Sequence, residues 1–201
     1  MAIALKLPEQ VAVQYFACKE DNTYDICYYN KYDLQPSSYK FLLKNKSFQI
    51  EADSDEKTTA AMRTFDLDFL KEYLEQVKPD LNEALKAAVW IGFTEAVKLL
   101  VSDDRVDPSA RDNEALALAS QEGNSEIVKL LLSDARFDPS AHDNEAIIAA
   151  SHEGRLVIAK LLLSDDRVDP SARDNAALVS AARFGHSEIL KLLKSHPRFR
   201  A

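Results

Sequence analysis

Glycine is scarce in this chain: of 201 residues only Gly92, Gly123, Gly154 and Gly185 are glycine. Four glycines this far apart cannot build a glycine-rich phosphate loop. Cysteine is scarcer still. Cys18 and Cys27 stand alone in the first quarter of the chain, too few and too widely spaced for a disulfide framework or a zinc knuckle, and they read as two reduced thiols. Either could serve as a nucleophile in principle, but the short segment around them is too small to build a pocket with a partner base. The histidines are His142, His152, His186 and His196. His142 and His152 do not share a helical face and have no cysteine nearby, so no metal site is expected. No apolar run approaches the roughly 18 residues of a membrane span. No long apolar core with a small-residue cleavage site follows Met1, so a signal peptide is not expected. These absences point to a cytoplasmic, non-enzymatic protein with no cofactor and no membrane contact.

The same four glycines carry the strongest positive signal, because they fall at intervals of 31 residues. Asn82, Asn113, Asn144 and Asn175 keep that period. So do Ala88, Ala119, Ala150 and Ala181, Lys98, Lys129, Lys160 and Lys191, and the pairs Leu99-Leu100, Leu130-Leu131, Leu161-Leu162 and Leu192-Leu193. A fixed period of this length marks a solenoid, in which each unit buries its apolar face on its neighbours. At 46% hydrophobic and 29% charged residues the chain has material for such a core and for a solvated surface. Charge is uneven. Residues 1–52 hold six basic and six acidic side chains, so the net −8 lies wholly in the remainder. An acidic rod repels phosphates, which argues against nucleic acid as a partner.

The unit from Asp107 to Phe137 shows the physics of one repeat. Asp107-Pro108 opens a turn, since Pro fixes φ and pushes the preceding residue to an extended conformation. Asn113 stands where a side chain can cap the helix that begins at Glu114. That helix stops at Gly123, suited to a left-handed helix end. A second helix follows with Ile127, Val128, Leu131 and Leu132 as its apolar stripe. Neither helix is long enough to be stable alone. Small residues such as Ala115 and Ala119 allow close approach of first helices, and the leucine pair fills the layer between units. The periodic Arg105, Arg136 and Arg167 with Asp107, Asp138 and Asp169 read as scaffold charges that pair between repeats.

Ala181-Ala182-Arg183-Phe184-Gly185-His186-Ser187-Glu188-Ile189, followed by Lys191-Leu192-Leu193, resembles the ankyrin repeat, and three further copies run in register before it. The resemblance covers about three quarters of the chain. The period is 31 where the family usually has 33, and the family's Thr-Pro-Leu-His opening is replaced by Glu114-Ala115-Leu116-Ala117 and its equivalents. Asp-Pro-Ser-Ala-(Arg/His)-Asp-Asn takes the place of the connecting finger. The resemblance implies a mainly α solenoid that binds another protein, and a structural role for His186 after the turn glycine. Residues 56–77, with Phe65 where the turn glycine would be, read as a degenerate N-terminal capping repeat, giving about five helix-turn-helix units. At the other end Lys194 replaces the third leucine of Leu161–Leu163, as in a capping repeat.

Residues 1–52 form a separate, non-repeating segment, with 53–201 as the repeat domain. Six of the seven tyrosines lie in that segment, and β-branched and aromatic clusters at 11–18, 24–29 and 39–50 suggest a small β-containing unit docked on the first repeat, with a helix starting after Pro8 as the competing reading. Leu7-Pro8-Glu9-Gln10-Val11 resembles the start of an F-box, though the rest of that motif is absent.

Exposed positions that abandon the period are free to encode a partner. The residues before each turn glycine are Trp90-Ile91, Gln121-Glu122, His152-Glu153 and Arg183-Phe184. In ankyrin-like stacks they lie on the concave side, beside fingers that carry Arg111, His142 and Arg173. These eleven residues are the expected binding surface for a protein or extended peptide, rich in the residue types of hot spots. The expected function is a monomeric interaction module. The alternative is a two-part adaptor or effector whose N-terminal segment recruits a second partner, for example ubiquitin-ligase machinery, in a host cytoplasm if it is secreted.

Overall fold

A computed structural model describes residues 54–107 and 113–200. Within them the chain is helical, with no strand. The expected β-containing segment 1–52 lies outside the described residues. The chain divides into two compact units, Met1–Pro79 and Asp80–Ala201.

The described part of the first unit is one helix pair, α1 (Ser54–Met62) and α2 (Leu67–Val77). The pair is joined where Phe65, at φ 49°, takes the left-handed conformation that glycine takes in the repeats. Asp66 caps α2, its carboxylate accepting from the Phe69 amide at 2.9 Å. Ala61, Met62 and Leu70, on these two helices, have no accessible surface. Burial pushes the Tyr73 phenol above its usual value, with the Thr58 hydroxyl partly offsetting the shift.

The second unit holds four helix pairs: α3 (Leu81–Ile91) with α4 (Thr94–Val101), α5 (Glu114–Glu122) with α6 (Ser125–Leu132), α7 (Ala141–His152) with α8 (Leu156–Leu163), and α9 (Ala172–Arg183) with α10 (Ser187–Ser195). First helices pack in a row, α3 on α5, α5 on α7 and α7 on α9; second helices form a parallel row from α4 to α10. The first-helix row is tight because Ala88, Ala119, Ala150 and Ala181 have no accessible surface. The second row contributes Val97, Leu100, Val128, Leu131, Leu162 and Leu193 to the same continuous core.

The two described fingers, 138–144 and 169–175, contain left-handed turns. His142, Asp143 and Asn144 have φ of 50°, 53° and 65°, and Arg173, Asp174 and Asn175 have 48°, 52° and 64°. Three successive left-handed residues reverse the chain within the first residues of α7 and α9. For residues other than glycine this costs roughly 1–2 kcal/mol each, so neighbouring contacts must hold them. The periodic asparagines supply part of that hold, which corrects the expectation that they cap their own helices. Asn113 makes no cap bond. Its side-chain oxygen accepts instead from the amide of Asp138 at 3.0 Å, 25 residues on, and Asn82 and Asn144 do the same for Asp107 at 2.9 Å and Asp169 at 2.7 Å. Each asparagine thus fastens the start of one helix pair to the segment that leaves it. At Asn175 the series stops: its buried oxygen has no partner, and the Arg200 amide that would match donates to Ser171 Oγ at 2.7 Å.

A second set of rungs ties each repeat to the one before. The residue after each turn glycine from Gly123 onward reaches back to the end of the preceding first helix: Asn124 Nδ2 donates to the Val89 carbonyl at 3.0 Å, Arg155 Nε to Gln121 at 3.1 Å, and His186 Nε2 bonds the His152 carbonyl at 2.9 Å. The periodic arginines pair differently from the expectation. Arg105, Arg136 and Arg167 bridge Asp103, Asp134 and Asp165, two residues before them in the same loop, rather than the aspartates that follow. The guanidinium beside each holds its carboxyl below the usual range, to about 2 for Asp103. What crosses between repeats is the remaining donor capacity, Arg136 to the Val106 carbonyl at 3.4 Å and Arg167 to Phe137 at 3.2 Å.

Candidate functional site

The turn glycines set where the variable residues emerge. Because each first helix stops at a left-handed glycine, the two residues before it are held at a helix end, aligned from pair to pair by the rungs. Trp90 and Ile91 at the end of α3 are half-buried, as is Glu122, while Gln121 is exposed. His152, Glu153, Arg183 and Phe184 are all exposed.

The last four come together across two repeats. The His152 and Phe184 rings lie 4.1 Å apart between centroids, tilted by 59°. The Arg183 guanidinium carbon sits 5.7 Å from the centre of the Phe184 ring, within cation–π range. Glu153 Oε1 lies 2.8 Å from His152 Nδ1. Phe184 remains 46% exposed, so this aromatic, flanked by an arginine and a histidine, presents much of its ring to solvent. The backbone beneath is fixed, because the His186 rung occupies the His152 carbonyl.

The finger residues form a second cluster. Arg173 donates to Glu145 Oε2 at 2.6 Å and to the His142 carbonyl at 2.8 Å, with Asp143 Oδ2 3.7 Å away. His142 and Arg173 are both exposed, and the fork of Arg173 links two successive fingers. Glu145 and Asp143 are members that the period alone does not single out. Arg111 lies outside the described residues. Trp90, Ile91, Gln121 and Glu122 sit at the equivalent positions of earlier repeats, where the Gln121 carbonyl already receives Arg155.

The arrangement offers hydrogen bonding, cation–π and aromatic contact. Among the described residues no group of three or more metal-ligating side chains gathers, and no helix is long and apolar enough to cross a membrane.

Compared with known families, a model of ankyrin repeats matches the chain over residues 57–143 and 116–200, in three copies. Among curated proteins none matches.

Proposed function

The chain belongs to the ankyrin-repeat family, and from that premise we propose that it binds a partner protein or extended peptide along the concave, finger-side stripe of its stack. Ankyrin repeats are generally protein–protein interaction modules. The observation that carries the assignment to this stripe is the exposed group of His152, Glu153, Arg183 and Phe184, which departs from the period while the scaffold around it keeps the period. Aromatic and arginine side chains held by rigid elements lose little freedom on binding, which is what makes such residues anchors. In this reading Trp90, Ile91, Gln121 and Glu122 extend the surface towards the first repeats, and Arg111, His142 and Arg173 line its finger edge. The module works as a monomer in the cytoplasm and performs no chemistry of its own. Its acidic charge disfavours nucleic acid.

The non-repeating composition of residues 1–52, which hold six of the seven tyrosines, favours one alternative, a two-part adaptor in which residues 1–52 engage a second partner and 53–201 the first. Affinity capture with the full chain separates the readings. Replacing His152 and Arg183 together with Ala should weaken retention of the partner by about 2 kcal/mol or more, whereas Lys129 and Lys160 on the second helices serve as the control pair. Loss with the control pair and not with the stripe pair would contradict the stripe. Two partners, one of them indifferent to the stripe, would favour the adaptor.

A further inference from the structure

Cations along the first helices and their glycine ends are held by neighbours, with one exception. Lys86 stands 3.1 Å from Glu114 Oε1 and 3.9 Å from Glu83 Oε2. Arg173 is held by Glu145, and Arg155 gives its Nε–H to the Gln121 carbonyl. Arg183 has no such partner. Among the described residues its guanidinium meets no acceptor and no carboxylate, only the Phe184 ring. The His152 ring against the same phenyl has Nδ1 beside Glu153 and leaves Nε2 unclaimed. This exposure belongs to the register and not to the place in the stack. Gln121 and His152, in the register of Arg183, are exposed although a further repeat packs beside them, and so is Glu153 in the register of Phe184.

One turn before His152 and Arg183, on the same helical faces, stand Ile148 and Val179. Ile148 is partly open and Val179 is 57% exposed. Earlier repeats carry Lys86 and Ala117 in that register, so the large apolar side chains are confined to α7 and α9. An apolar patch thus adjoins a cation with unused donors.

We propose, on the premise that the finger-side stripe is the binding face, that the partner's segment carries one carboxylate beside a large apolar side chain. An aspartate or glutamate side chain meets Arg183 and His152 Nε2, and the apolar one covers Ile148 and Val179. A guanidinium offers parallel N–H donors that match the two oxygens of a carboxylate, and such charge-assisted bonds are about twice as strong as neutral ones. Packed on Phe184, the Arg183 fork is ordered before the partner arrives, so less freedom is lost on binding. One carboxylate fits better than an acidic run or a phosphate, because Glu153 lies beside His152 and the other cations of the row are already held. About 5.4 Å, one helical turn, separates the two subsites, a distance that an extended chain spans within two residues.

The probe is a phage-displayed library of random dodecapeptides, selected on the full chain. Binders that lose affinity with Phe184→Ala should be enriched in Asp or Glu within two residues of Leu, Ile, Met or Phe. For one such peptide made synthetically, Arg183→Gln should weaken binding by about tenfold or more, read by fluorescence anisotropy. Changing the peptide's acid to its amide should do the same. The two changes together should cost little more than either alone, since both remove one contact. Arg183→Lys keeps the charge and loses the fork, so it should fall between, and Lys160→Gln should change nothing. Peptides that need Phe184 yet show no preference for an acid, or whose acid acts additively with Arg183, overturn the carboxylate and leave the stripe standing. A phosphoserine peptide that binds more tightly than its aspartate counterpart makes the occupant a phosphopeptide and overturns it equally. A library that yields no peptide dependent on Phe184, Arg183 or His152 contradicts the stripe itself.

Discussion

At the scale of single residues, the periodic asparagines show how one side chain can hold a strained loop. Asn144 occupies a left-handed position and accepts from the Asp169 amide, while Asn175 has the same φ and no partner. Replacing each with glycine relieves the backbone strain equally, so the difference isolates the hydrogen bond. Asn144→Gly should cost about 0.5–1.5 kcal/mol through the lost part-buried hydrogen bond, and Asn175→Gly clearly less, both read by urea denaturation. The loop aspartates allow a test by pH. Asp134 and Asp165 have carboxyls depressed by Arg136 and Arg167. A depressed group stabilises the fold above its unfolded value near 3.9, and the contribution is lost as pH falls through the lower folded value. Stability should therefore drop as pH falls from about 4 towards 2. That drop should be shallower in an Arg136→Gln, Arg167→Gln chain, although the variant is weaker at every pH through its lost carbonyl bonds. Parallel profiles would show that the pairs contribute nothing.

At the scale of helices and turns, the glycines divide into covered and uncovered. Gly154 has φ 70°, and a Cβ there would lie 2.6 Å from the His186 ring, itself fixed by its bond to the His152 carbonyl; Gly185 has φ 77° and open space. Gly185→Ala should cost only the left-handed backbone term, about 1 kcal/mol. Gly154→Ala must add displacement of the imidazole and loss of its rung, so its thermal midpoint should fall clearly further. Equal midpoints would contradict the contact. The helix pairs and their glycine stops were legible in the sequence because period and burial have one cause: a residue that repeats meets the same neighbours each time. The rungs were less legible, since Asn124, Arg155 and His186 act alike with different side chains, and only their place after a glycine unites them. The aspartate that each loop arginine chooses depends on loop geometry, which spacing does not reveal. The left-handed finger was hidden for another reason: His, Asp and Asn tolerate positive φ better than most residues, but as single residues, and three left-handed positions in succession, one of them Arg173, are not an ordinary expectation.

At the scale of the whole molecule, the repeats separate scaffold from specificity. Periodic residues make the stack, and the residues freed from the period, His152, Glu153, Arg183 and Phe184 foremost, collect at the ends of successive first helices. The group itself becomes visible only in the structure, because His152 and Phe184 are 32 residues apart and meet through the 31-residue register plus one. The proposed binding face makes a demand that stability measurements cannot meet, namely that a partner touch these positions. The most direct measurement places a photo-crosslinking amino acid at position 153 in one full-length chain and at position 129, on a second helix, in another. Irradiation in cell extract should join position 153 to a discrete partner, with the yield suppressed when Arg183 is replaced with Ala, and leave position 129 unlinked. Crosslinks confined to position 129 would contradict the finger-side stripe as the binding face.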